Sequence, residues 1–168
     1  MDKISIERIA KAHPKIRTEL LLIYNEANNR LAKSRLRFSH VLRTFKEQSD
    51  LFAIGRTTGK KGAIVTNAKA GQSFHNYGLA VDIVLLIDKD GDGRFESASW
   101  DVFKDWDKDG IADWKEVVHV FKKYGWTWGG DFRFKDMPHF QKTFGKTWQE
   151  LKKLHDSGKV DCDGFVQI

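Results

Sequence analysis

Hydrophobic and polar positions change their period several times along this chain. Ile16, Leu20, Ile23, Ala27 and Leu31 recur at three- and four-residue steps, the spacing that lays an apolar stripe along one helix face. A shorter helix precedes it, with Ser5 as its cap and Pro14 as its end. The segment LRFSHVLRTF, residues 36–45, predicts a strand that turns into a helix. There Thr44 and Glu47 have capping-box spacing, Leu51 and Phe52 face the core, and Gly55 ends the helix. Residues 55–72 are basic and punctuated by glycine, a loop composition. From Leu79 to Ile87 the chain is nearly continuous aliphatic sequence, which predicts a strand. An acidic stretch, 88–113, separates it from a helix over Trp114–Tyr124. WTWGGDFRF, residues 126–134, alternates aromatic and polar residues around Gly129-Gly130 and predicts a hairpin-like turn. MPHFQ continues as a strand, with Pro138 marking an edge or an irregularity. Thr147 and Glu150 form a second capping box, opening a helix that stops at Gly158. The pattern is α+β: one small, mainly antiparallel sheet with helices packed on it.

Length and composition agree with one globular domain over residues 1–168. Cys162 is the only cysteine, so no intramolecular disulfide forms. No run of 18 apolar residues is present, so no integral membrane segment is expected. MDKISIERIAKAHPKIR carries charges where a signal peptide has its apolar core, which predicts synthesis in the cytoplasm. The net charge of +6 is uneven: ten Asp/Glu against five Lys/Arg in 88–116 leave +11 on the rest. That basic remainder suits a polyanionic partner or is simply a solvated surface. A nucleic-acid role is not expected, because the aromatics alternate at strand period, as core residues do.

One residue breaks the aliphatic strand. An ionised Asp82 in a buried run costs several kcal/mol unless it is paired. His75 precedes it across a turn containing Asn76 and Gly78, and His139 lies in the later strand KDMPHFQ. A divalent cation held by His75, Asp82 and His139 would neutralise the carboxylate and leave a fourth position open for water, as in catalytic zinc sites. Asp136, three residues before His139, would then stand near as a general base. Spacing alone leaves a second reading open, in which these histidines are hydrogen-bonded core residues, as expected for His13, His40, His119 and His155. EVVH, 116–119, repeats the acid-x-x-His spacing, but Glu116 has another use, given below.

These residues resemble a known family. SFHNYGLAVDI matches the S-x-H-x-x-G-x-A-x-D signature of the D-Ala-D-Ala metallopeptidases, within the wider lysostaphin/hedgehog-type zinc peptidases. DMPHF is similar to that family's second signature, and LRTFKEQSDLFAIGRT (42–57) to its upstream Arg-plus-Gln segment. The resemblance implies a hedgehog-like peptidase fold, Zn²⁺ on His75, Asp82 and His139, and Asp136 as catalytic base. It implies Arg43 beside the reacting carbonyl, with Gln48 and Ser73 touching substrate. Its substrates are peptidoglycan peptides containing D-residues. Asp136, the DMPHFQ wording and the missing signal peptide favour an L-alanyl-D-glutamate endopeptidase of endolysin type, monomeric and reaching the wall by holin-type release. The alternatives are a D-alanyl-D-alanine carboxypeptidase or dipeptidase, and a calcium-dependent wall-binding module whose metal site is degenerate.

The acidic island has its own logic, that of a calcium-loop-like insertion at 88–116 within the peptidase domain. DWDKDGIADWKE places Asp105, Asp107, Asp109 and Asp113 at loop positions 1, 3, 5 and 9, Gly110 at 6 and Glu116 at 12. That is the EF-hand Ca²⁺ pattern, although Ile111 stands at position 7 rather than 8. Upstream, Asp88, Asp90, Asp92 and Gly93 are in the same register, but Ser99 occupies position 12, a weaker site. A solvated acidic loop is the competing reading. A paired helix-loop-helix is not expected, because a strand enters the loop directly.

Overall fold

β2 (Ala80–Ile87) organises the molecule. The computed structural model describes residues 2–168. β1 (Ser34–His40) runs antiparallel along one edge of β2. The other edge is shared by β5 (His139–Gln141) at the start of β2 and β3 (Ser97–Ser99) at its end. β4 (Thr127–Trp128) pairs with β5, closing a five-stranded antiparallel sheet. The hairpin-like turn around Gly129-Gly130 is thus a β4–β5 hairpin whose connection, 129–138, begins with a 3₁₀ turn.

Period-two alternation divides β2 between two environments. Val81, Ile83 and Leu85 are fully buried in the hydrophobic core. Helices α1 (Lys3–Ala10) and α2 (Pro14–Arg30) pack on β1, and α4 (Asp113–Lys123) packs on α2 and β4. Phe38, Trp114, Phe121 and Phe140 fill the space between them, with Phe121 stacked on Phe140 at 4.0 Å. Asp82 is on the opposite face of β2, outside this layer, where α3 (Phe45–Ala53) and the loops before β2 and β5 form a groove. Ala80, Val84 and Leu86 on that same face are also buried, so Asp82 does interrupt a strand covered on both sides, at the one position where the groove reaches it. α5 (Trp148–Asp156) seals the lower end with Leu151. Among the described residues no helix is long and apolar enough to cross a membrane.

Local expectations changed in detail. Asp2, not Ser5, caps α1, and its carboxylate accepts from the Ser5 amide at 3.0 Å. Ser5 is buried instead, and its hydroxyl accepts from Phe38 N of β1. Pro14 opens α2 at its first turn, where a missing N–H costs nothing. Leu51 and Phe52 are only half-buried, and Gln48 is the buried residue of α3. Of the four histidines expected in the core, only His13 is there, bonded to the Val166 carbonyl at 2.9 Å. His40 and His119 are exposed, and half-buried His155 leans on the Phe45 ring.

Candidate metal centre and groove

Register brings the three predicted ligands together. His139 is directly opposite Asp82 in the β2–β5 ladder, so both side chains leave the same face. His75 arrives from a 3₁₀ turn, Phe74–Tyr77, opened by Ser73, whose hydroxyl accepts from His75 N. Asn76 closes that capping box and donates to the Arg43 carbonyl at 2.9 Å, tying the turn to the segment before α3. Gly78 ends the turn at φ +66, where a Cβ would lie 2.7 Å from the His13 backbone nitrogen. Gly78 O in turn accepts from that nitrogen. Only glycine fits.

His75 Nε2 is 3.1 Å from Asp82 Oδ1 and 3.2 Å from His139 Nδ1, and His139 Nδ1 is 3.3 Å from the same Oδ1. The outer ring nitrogens decide what those inner atoms are. His75 Nδ1 meets the Val41 carbonyl at 2.7 Å, and His139 Nε2 meets Gln141 Oε1 at 3.0 Å. Both partners only accept, so both outer nitrogens carry protons and, in neutral rings, both inner nitrogens present lone pairs. Two lone pairs and a carboxylate oxygen then face one another with no donor between them. A cation resolves that conflict. Donor atoms about 2.0–2.2 Å from one tetrahedral ion stand roughly 3.3–3.5 Å apart, close to the spacings found. Burial alone would raise the Asp82 carboxyl, and positive charge on His75 and His139 holds it well below the usual carboxylate range, a role that a cation would take over from ring protons.

The ligands form the floor of a cavity of about 400 Å³, whose walls include Arg43, Ser73, Asp136 and Gln141. Arg43 reaches to 3.8 Å from Asp82. Its guanidinium is steadied by Gln48, which accepts from Arg43 at 3.0 Å and donates to the Ala68 carbonyl at 2.8 Å. Fully buried, with both ends of its amide engaged, Gln48 braces Arg43 and does not line the cavity. Ser73 does line it while capping the His75 turn. Asp136 is at the mouth; burial, with the nearby Asp82 charge, pushes its carboxyl above the ordinary value. Its position depends on Gly129, whose carbonyl accepts from Asp136 N and whose hypothetical Cβ would fall 2.3 Å from Asp136 O.

Residues not singled out from the sequence also serve the site. Gln141 follows His139 by two residues, and strand periodicity in HFQ places both on one face. The Val41 carbonyl carries no side-chain signal at all. Past Arg43 and Leu51 the groove continues into a second cavity of about 610 Å³, lined by Arg8 and His40.

The acidic clusters form as expected. One carboxylate oxygen from each of Asp105, Asp107 and Asp113, and from each of Asp107, Asp109 and Glu116, lie within 4.8 Å of one another. Asp88, Asp90 and Asp92 form a third such group. Burial and the charges of Asp109, Asp107 and Asp113 push the Glu116 carboxyl up to about 7.

Residues 66–142 match a family model described as D-alanyl-D-alanine carboxypeptidase. Over 100 residues the chain is 51% identical to peptidoglycan L-alanyl-D-glutamate endopeptidase CwlK of Bacillus subtilis (strain 168), covering 59% of this chain and 55% of the relative. The chain thus spans about half the length of that curated relative. The crystal structure of Serratia marcescens L-Ala D-Glu endopeptidase ChiX shares the fold, with a TM-score of 0.53 and 23% identity, over 86% of this chain and 90% of that one. Residues 66–142, in which His75, Asp82 and His139 converge on one point, are thus similar to the peptidases that this family model describes.

Proposed function

We propose that this chain is a zinc-dependent peptidase that hydrolyses the L-alanyl-D-glutamate bond of peptidoglycan stem peptides. One observation carries the reading: the inner nitrogens of His75 and His139 and the Asp82 carboxylate meet at 3.1–3.3 Å, their outer nitrogens pinned by Val41 and Gln141. The activity printed for the Bacillus relative, 51% identical over 100 residues, supports the choice of bond.

Zinc on His75, Asp82 and His139 would polarise the scissile carbonyl and acidify the attacking water. Asp136, raised by burial, takes a proton from that water as its oxygen bonds to the carbonyl carbon. It returns the proton to the leaving amine as the C–N bond breaks, giving a carboxylate and a free amine. Arg43 holds positive charge beside the carbonyl oxygen as negative charge develops there, an interaction worth about 3 kcal/mol when a donor is held in place in advance. Ser73 stands on the groove wall within reach of a bound peptide. In this reading residues 1–168 act as one monomeric domain on the cell wall, in its endolysin-like form after holin-type release.

Digestion of purified peptidoglycan, with mass spectrometry of the new termini, tests the reading. The expected product has N-terminal D-Glu. Free D-Ala would instead establish the carboxypeptidase that the family description suggests, and binding without any product would leave a wall-binding module. Asp82→Ala or His139→Ala should lose the metal, whereas Asp136→Ala should keep it and lose at least 10²-fold in turnover. Near-normal turnover of Asp136→Ala overturns the assignment.

A further inference from the structure

Outside the groove, one carboxylate is buried without a partner. Glu116, in the first turn of α4, is 9% exposed, and its Oε2 meets no donor. It offers an oxygen within 4.8 Å of one from Asp107 and one from Asp109, and Asp105 joins Asp107 and Asp113 at the same spacing. Two oxygens bound at about 2.4 Å to one ion stand at most about 4.8 Å apart, so the clusters have the breadth of a calcium shell. Asp113 is fully buried and already committed: Oδ1 accepts from Trp106 N, and Oδ2 from the Ser34 hydroxyl of β1. That suits position nine of the loop, which commonly ligates through water. Gly110, at φ +97, makes the turn that position six requires.

We propose that residues 105–116 bind one calcium ion through Asp105, Asp107, Asp109 and Glu116, with Asp113 anchoring the loop to β1. The donors are all oxygen, with no imidazole or thiolate among them, which selects a hard cation over zinc. A flexible, carboxylate-rich loop suits calcium better than magnesium, which requires near-ideal octahedral geometry. The ion would also finish the start of α4, where Ala112 provides no side-chain cap. α4 in turn supports the groove: Lys115 and Lys122 lie over the Trp128 ring, and Trp128 Nε1 donates to the Met137 carbonyl beside Asp136. The upstream loop has no equivalent of Glu116. Ser99 stands at its position twelve, no buried carboxylate among the described residues faces its aspartates, and that loop is outside the proposal.

The test uses the full chain carrying Asp136→Ala, so that the readout is independent of peptidase activity. Terbium luminescence, excited through Trp106 and Trp114, reports the loop, and calcium chloride displaces the probe. We expect one terbium per chain, displaced by calcium between roughly 10⁻⁷ and 10⁻³ M, and a rise in Tm on adding calcium. Glu116→Gln should weaken binding about tenfold or more and abolish the Tm rise, while Asp90→Asn leaves both unchanged. Should Glu116→Gln fail to fold, Asp109→Asn, on an exposed side chain, gives the same reading. No displaceable signal, full affinity in the Glu116 and Asp109 variants, or loss through Asp90→Asn alone would overturn the proposal.

Discussion

At the scale of single residues, the site depends on where two protons are parked. A histidine can offer its inner nitrogen as a ligand only if the outer one is held as a donor, and Val41 O and Gln141 Oε1 impose that tautomer on His75 and His139. The Val41 bond is a backbone feature that no side-chain change removes, but the other can be cut. Gln141→Leu keeps the volume and loses the acceptor, so metal affinity should fall roughly 10–100-fold, as for other outer partners of ligating histidines. Chelator competition measures the effect; unchanged affinity would mean that the Gln141 bond is incidental. Unlike an axis-wide packing defect, the change should leave Tm of the metal-free protein near that of the parent.

At the scale of elements, α1 is fixed by one carboxylate. Asp2 caps its first turn, receives Ser5 N and Oγ, and pairs with Arg37 of β1 at 2.8 Å. Burial alone would raise its carboxyl, but Arg37 and Ser5 bring it below the ordinary value. Its contribution is therefore present above the unfolded carboxylate range, near pH 4, and is lost as pH falls through the lower folded value. Asp2→Ala should cost about 1–2 kcal/mol at pH 7, a gap that closes as the parent is acidified. Urea melts at several pH values measure it, and a gap that persists at pH 2 would assign the loss to packing. Much of this architecture was legible in the sequence. The stripe of Ile16, Leu20, Ile23 and Ala27, both Thr–Glu boxes and the 79–87 strand each follow from local periodicity or capping chemistry. The His75, Asp82 and His139 set was legible because each stands in a distinctive motif. The family resemblance implies a substrate contact for Gln48, whereas its amide points to Arg43 and Ala68, a direction that sequence does not show. Gly129 escaped notice as a support for Asp136 because a close backbone approach leaves no mark beyond the glycine itself.

At the scale of the whole molecule, the charges divide by region. The segment 88–116 gathers ten carboxylates, and the rest of the chain is left strongly basic. Part of that excess faces the groove's second cavity. Arg8 has no ion pair among the described residues, whereas Glu47 is engaged by Thr44 and Asp50 by Lys46 in the same wall. A stem-peptide carboxylate lying past Arg43 would thus meet a free cation supplied by α1. Arg8→Gln should raise KM roughly fivefold, equivalent to about 1 kcal/mol for a solvent-accessible ion pair, with kcat unchanged. The penalty should vanish on a substrate whose distal carboxylates are amidated, and an equal penalty on both substrates would remove Arg8 from the binding path.

The Val41 carbonyl has one more consequence. The stretch that matches the family description, 66–142, contains every proposed zinc ligand, yet the acceptor that fixes the His75 tautomer precedes it by many residues, as does Arg43. The recognisable stretch is therefore not self-sufficient. A fragment beginning after Val41 would retain the signature and lose the acceptor of His75 Nδ1, so a fragment meant to hold the proposed metal should reach back through Val41.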